Sequence, residues 1–78
     1  MQKNYDINYI LKEGNIYHAM FGNKYLGMMY IEIDGFYVFQ FSEAQGCWAG
    51  WVLRSLAEKI EELNQPYIER LIKDGLWV

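Results

Sequence analysis

The chain has 78 residues, with ten acidic and seven basic side chains and a net charge of −3. That length is one domain, residues 1–78, which buries roughly 60% of its unfolded surface. The acidic balance argues against direct nucleic-acid binding, which calls for a clustered positive surface. One cysteine, Cys47, forms no internal disulfide, so a reducing cytoplasm is the expected compartment. The first six residues carry no apolar leader segment, and no run reaches about 18 apolar residues, so neither secretion nor membrane spanning is expected.

The segment up to Asn15 is ambiguous. Tyr5, Ile7 and Tyr9 alternate as in a strand, while Ile7, Ile10 and Leu11 also fit a helical stripe. Adjacent Ile10 and Leu11, with Gly14 placed as a C-cap, favour a short N-terminal helix.

Ile16 to Phe41 is an aromatic block cut by two turn signals. Gly22-Asn23 separates a first strand from Tyr25–Ile33, as a two-residue loop or, with Lys24, a longer one. Asp34-Gly35 favours a two-residue type I′ loop. That loop sets Ile33 opposite Phe36, Ile31 opposite Val38 and Met29 opposite Gln40, an aliphatic face. The other face carries Glu32 with Tyr37, Tyr30 with Phe39, and Met28 with Phe41. If Gly22-Asn23 is also a two-residue loop, Ile16, His18 and Met20 join the aliphatic face, and Tyr17, Ala19 and Phe21 the aromatic one. A one-residue slip at the Asp34-Gly35 turn exchanges the contribution of the strand before it.

From Trp51 to Leu63 the stripe of Val52, Leu53, Leu56, Ala57, Ile60 and Leu63 is helical and amphipathic. Arg54, Ser55, Glu58, Lys59, Glu61 and Glu62 form its polar side, with Arg54 and Glu58 spaced to pair. Pro66 ends this helix and begins a second one, which carries Tyr67, Ile68, Leu71 and Ile72. Gly75 is its C′ residue, and Trp77 folds back onto the sheet or the helix. The expected fold is α+β: an antiparallel three-stranded β-meander against a C-terminal helix pair, with the short N-terminal helix. The helices cover the aliphatic face of Ile31, Ile33 and Val38.

Conventional chemistry is sparse. Cys47 before a helix start, with His18 as base, is the one nucleophile–base pair. The simpler reading makes Cys47 a small buried hydrophobe. One Cys and one His do not make a structural zinc site. Glu58, Glu61 and Glu62 could present a negative patch that imitates nucleic acid, but Lys59 interrupts it, so a solvated helix face is the plainer reading. A ligand cleft of roughly 300 Å³ or more is hard to form in a core this small. No cofactor, metal or catalytic residue is expected.

The run Gly46-Cys47-Trp48, with Trp51-Val52-Leu53, Leu56-Ala57, Ile60, Leu63-Asn64 and Pro66, resembles the C-terminal part of small proteins from phages and mobile elements. The resemblance spans roughly a third of the chain. It implies a stoichiometric inhibitor of a host defence complex or host enzyme, anti-CRISPR proteins being one such kind, working in the bacterial cytoplasm. The resulting expectation is a non-catalytic interaction protein. Its partner-binding residues would be Tyr30, Tyr37, Phe39, Phe41, Tyr17, Glu32, Asp34 and Trp48. The alternatives are a homodimer formed through the aromatic face, or a small thiol-dependent enzyme using Cys47.

Overall fold

The computed structural model describes residues 7–42 and 49–77. Four strands, β1 (Asn8–Leu11), β2 (Tyr17–Phe21), β3 (Lys24–Ile31) and β4 (Tyr37–Phe41), form one antiparallel sheet in the order β1-β2-β3-β4. A single helix, α1 (Gly50–Lys73), packs across one face of it. The class is α+β, but the three-stranded meander and the helix pair are both overturned.

The first correction lies at the N-terminus. Residues expected to form a short helix form β1 instead, paired with β2 from Asn8 opposite Met20 to Leu11 opposite Tyr17. Period-two alternation wins because it lets Tyr9 pack against the core while Ile10 turns to the other side. Ile7, just before the strand, is buried among Ala19, Leu26, Met29, Val52 and Leu56. Gly14 does not cap a helix. It sits at φ +61 in the turn closed by the Ile16 N–H on the Glu13 carbonyl, 3.1 Å.

The second correction is the helix. α1 runs for 24 residues through Pro66 without ending there. Proline in a helix interior removes a donor and costs about 3 kcal/mol. Contacts on both sides of Pro66 offset this. Leu63 packs against the core, and the Tyr67 ring lies edge-on against Phe36 at 4.9 Å. The helix ends as a Schellman motif: Gly75, at φ +73, donates to Ile72, and Leu76 donates to Leu71. Gly75 is therefore the C′ residue that the sequence indicated. Trp77 folds back onto Phe36, with ring centres 5.9 Å apart.

The third correction is the strand register. Glu32 donates to Phe36 and Gly35 donates to Glu32, so the loop is Ile33-Asp34-Gly35, three residues long. Gly35 sits at φ +91, the left-handed position that closes such a loop. Ile31 therefore faces Tyr37, Met29 faces Phe39, and Gly27 faces Phe41. The Gly22-Asn23 loop does have two residues, with Phe21 opposite Lys24. Two residues further on, however, a bulge lets Met20 pair with Tyr25 and Ala19 with Gly27, skipping Leu26. The turn at one end of β3 and the bulge at the other turn the interior of β3 over relative to both neighbours.

One face thus carries Tyr17, Ala19, Leu26, Met29, Phe39 and Phe41, and this face meets Val52 and Leu56 of α1. The helix covers Tyr17, Tyr37, Phe39 and Phe41 of the expected aromatic face together with Met29 of the expected aliphatic one, while Val38 lies on the other side and Ile33 is exposed. Ala19 beneath the helix is wholly buried, and Gly27 lets β4 approach: a Cβ there would collide with the Gln40 carbonyl oxygen and lie 2.7 Å from the Phe39 ring.

Asn64 ties the helix to the sheet edge. Because Glu32 and Phe36 share the ladder bond, Tyr37 turns its own N–H and carbonyl away from β3. The Asn64 amide meets both: its oxygen accepts from the Tyr37 N–H at 2.7 Å, and its nitrogen donates to the Tyr37 carbonyl at 3.3 Å. Asn64 is the buried polar residue on α1, only 9% exposed. It acts as one peptide unit of an absent fifth strand. Asn64→Ala should lower stability by about 1–3 kcal/mol, the penalty for stranding buried backbone groups. Urea unfolding measures this, and a loss below about 0.5 kcal/mol would assign the amide no such role.

Candidate binding surface

The sheet face opposite α1 carries Asn8 and Ile10 from β1, His18 and Met20 from β2, Tyr25, Met28 and Tyr30 from β3, and Val38 and Gln40 from β4. The pairings run Ile10 to His18 to Met28 to Gln40 across the sheet, with Met20 opposite Tyr25 and Tyr30 opposite Val38. None of these side chains is fully buried. Among the described residues no element lies across this face. Ile10 is 43% exposed and Tyr25 38%. The His18 and Tyr25 rings meet at 5.0 Å, tilted by 57°, beside Met20 and Met28.

The expected site residues divide. Tyr30 lies on the open face, where its hydroxyl donates to Glu32 Oε2 at 3.1 Å. Glu32 is exposed beside it. Asp34 serves the turn: its carboxylate accepts the Phe36 N–H at 3.0 Å and its carbonyl accepts the Tyr67 hydroxyl at 3.1 Å. Tyr17, Tyr37, Phe39 and Phe41 are on the opposite face, half-buried against α1. The Tyr17 and Tyr37 rings meet edge-on at 6.1 Å, and those of Phe39 and Phe41 at 4.8 Å. Trp48 lies outside the described residues, as do Cys47 and Gly46. Of this face the sequence reading had Met28 and Tyr30; it did not assign Asn8, Ile10, His18, Met20, Tyr25, Val38 or Gln40 to it. A one-residue slip at the Asp34-Gly35 turn, the change that sets Tyr30 opposite Val38, was a stated possibility with no local signal to select it.

The polar side of α1 also differs in detail. Ser55 Oγ and the Tyr9 hydroxyl are hydrogen-bonded at 3.0 Å. Lys59 lies 5.5 Å from the Tyr9 ring centre and 5.9 Å from that of Tyr17, while pairing with Glu62 at 3.1 Å. The expected Arg54–Glu58 pair is not the one formed; Lys59 and Glu62 make it. Lys59 thereby lies within the acidic side of the helix that Glu58, Glu61 and Glu62 share. Among the described residues no three His, Cys, Asp or Glu side chains cluster as metal ligands would. No described helix is long and apolar enough to cross a membrane.

Comparison with protein families, with curated proteins and with solved structures found no match.

The Glu32 carboxylate raises the Tyr30 pKa above 10, first by accepting its proton in a hydrogen bond, then through partial desolvation and charge repulsion. Desolvation raises that of Tyr37, helped by Tyr17. A raised tyrosine pKa favours the neutral phenol in the fold. Its contribution is complete below pH 10 and lost as pH climbs through the folded value. Tyr30 should therefore ionise later than an ordinary tyrosine, and Glu32→Gln should bring it back toward 10. NMR titration of the Tyr30 ring carbon follows this; an unchanged midpoint in the variant would refute the coupling.

Proposed function

We propose that this is a non-catalytic binding protein that holds a protein partner on the open sheet face. The observation that supports it is that face itself: Ile10, Met20, Tyr25, Met28, Tyr30 and Val38 side by side, with nothing described across them. A Tyr- and Met-rich centre with a polar rim of Asn8, Gln40 and Glu32 has the composition of a recognition surface. Tyrosines are frequent anchors in such surfaces, and Met adapts to irregular partners.

The resemblance to small phage proteins gives the partner's kind: a component of a bacterial defence complex or a host enzyme, bound stoichiometrically in the host cytoplasm. Net charge −3 favours a partner with a basic surface around the contact. The partner-facing set is Tyr30 and Glu32 from the original expectation, joined by Ile10, Tyr25, Met28 and Val38. Tyr17, Tyr37, Phe39 and Phe41 act by holding the helix.

The test is capture from a bacterial lysate, followed by measurement of affinity for the retained protein. Met28→Glu places a charge at the centre of the face without touching the core. It should weaken binding at least tenfold, about 1.4 kcal/mol, with the melting temperature little changed. Undiminished binding would overturn the proposal. Sedimentation of the protein alone separates the competing reading: a dimer that Met28→Glu dissociates assigns the face to a second copy.

A further inference from the structure

A solvent-open groove of about 340 Å³ lies between the β3–β4 hairpin and the C-terminal half of α1. A site of this volume is unexpected in a chain this short. It arises because α1 continues past Pro66 and runs beside the hairpin tip. Ile31 and Tyr37 form the sheet side, while Leu63, Pro66 and Tyr67 form the helix side. Gly35 closes one end, and there the Tyr67 ring leaves no room for a Cβ, which would lie 2.7 Å away.

The polar groups of this lining are almost all engaged. Both amide atoms of Asn64 are committed to the Tyr37 backbone. The Tyr67 hydroxyl is committed to the Asp34 carbonyl. Those left are the Tyr37 hydroxyl and the Arg70 guanidinium, which lies 5.6 Å from the centre of the Tyr67 ring. No carboxylate among the described residues pairs with it; Glu69, beside it in sequence, is hydrogen-bonded to Gln65 instead. The lining of an acidic protein thus holds one charge, and it is positive.

Arginine presents a planar fork that grips a carboxylate through two parallel hydrogen bonds. Stacking on Tyr67 holds that fork in place. The walls below it are mostly apolar. Pro66 strengthens the case. A proline inside a helix is locally unfavourable, and this one presents its ring to the groove. Locally unfavourable choices are expected where a site requires them.

We infer that the groove between Tyr37, Pro66 and Tyr67 binds a small amphipathic carboxylate, its apolar body between sheet and helix and its carboxylate on Arg70. The volume, near the lower end of the range for ligand sites, suits a single ring or a short aliphatic chain. This site is on the helix-covered side of the sheet and does not depend on what occupies the open face.

The test is NMR titration of the isotope-labelled protein with 3-phenylpropionate and hexanoate, each beside its uncharged amide. At least one acid should shift the amide signals of Ile31, Gly35, Leu63, Tyr67 and Arg70 saturably and bind at least tenfold more tightly than its amide. Arg70→Gln should reduce the acid to the level of the amide, and Arg70→Lys should restore part of the difference. Arg70 is exposed, so both variants should fold. No saturable shift with either acid, equal binding of acid and amide, or shifts centred on Met28 and Tyr25 would each overturn the inference. None of these outcomes bears on whether Met28→Glu loses a protein partner.

Discussion

The left-handed conformation of Gly35 is the constraint from which the rest of the sheet follows. At φ +91 it closes a three-residue loop where a two-residue loop was equally compatible with the residues flanking Asp34. One residue more in the loop moves every pairing between β3 and β4 by one. Side chains alternate with a period of two, so such a shift reverses a whole strand. Tyr37, Phe39 and Phe41 join Met29 and Ile31 on the helix side, and Val38 and Gln40 join Met28 and Tyr30 on the open side, because of this single turn. Gly35 also lies against the Tyr67 ring, so the residue that sets the register also seats the end of the helix.

The consequence is a division of labour between the two sheet faces. Aromatic side chains of β2 and β4 surround Met29, Leu26 and Ala19 beneath α1. These few buried residues are the core of a small chain. Among the described residues no further element lies across the opposite face. Asn64 protects the edge of β4 at Tyr37 by hydrogen-bonding its outward backbone groups. At the same end, the apex residue Ile33 is fully exposed, while Phe36, Tyr67 and Trp77 gather beneath it.

Features carried by strong local chemistry were legible in the sequence. The helical stripe of Val52, Leu56, Ile60 and Leu63 is helical, Gly75 caps its end, and Gly22-Asn23 is a two-residue loop. What was not legible depends on contacts distant in sequence. The bulge at Leu26 has no motif; it exists because Leu26 and Met29 both reach the core. Pro66 looked like a boundary because its local cost is real. Asn64 and Tyr67, fastened to residues some thirty positions earlier, keep the helix going across it. The face calculated from the shorter loop was therefore the wrong one, and Tyr37, Phe39 and Phe41 moved from a supposed docking surface to the helix interface. Tyr30 alone of those four aromatics kept its place on the open side.

The β3–β4 register can be read directly from Hα–Hα nuclear Overhauser contacts. In antiparallel pairs these are strong where opposed residues do not exchange ladder bonds, because their Cα atoms lie about 1 Å closer there. Strong contacts should join Ile31 to Tyr37 and Met29 to Phe39. Strong contacts joining Glu32 to Tyr37 and Tyr30 to Phe39 instead would restore the two-residue loop, return Tyr37 and Phe39 to the open face, and contradict the account of which face the helix covers.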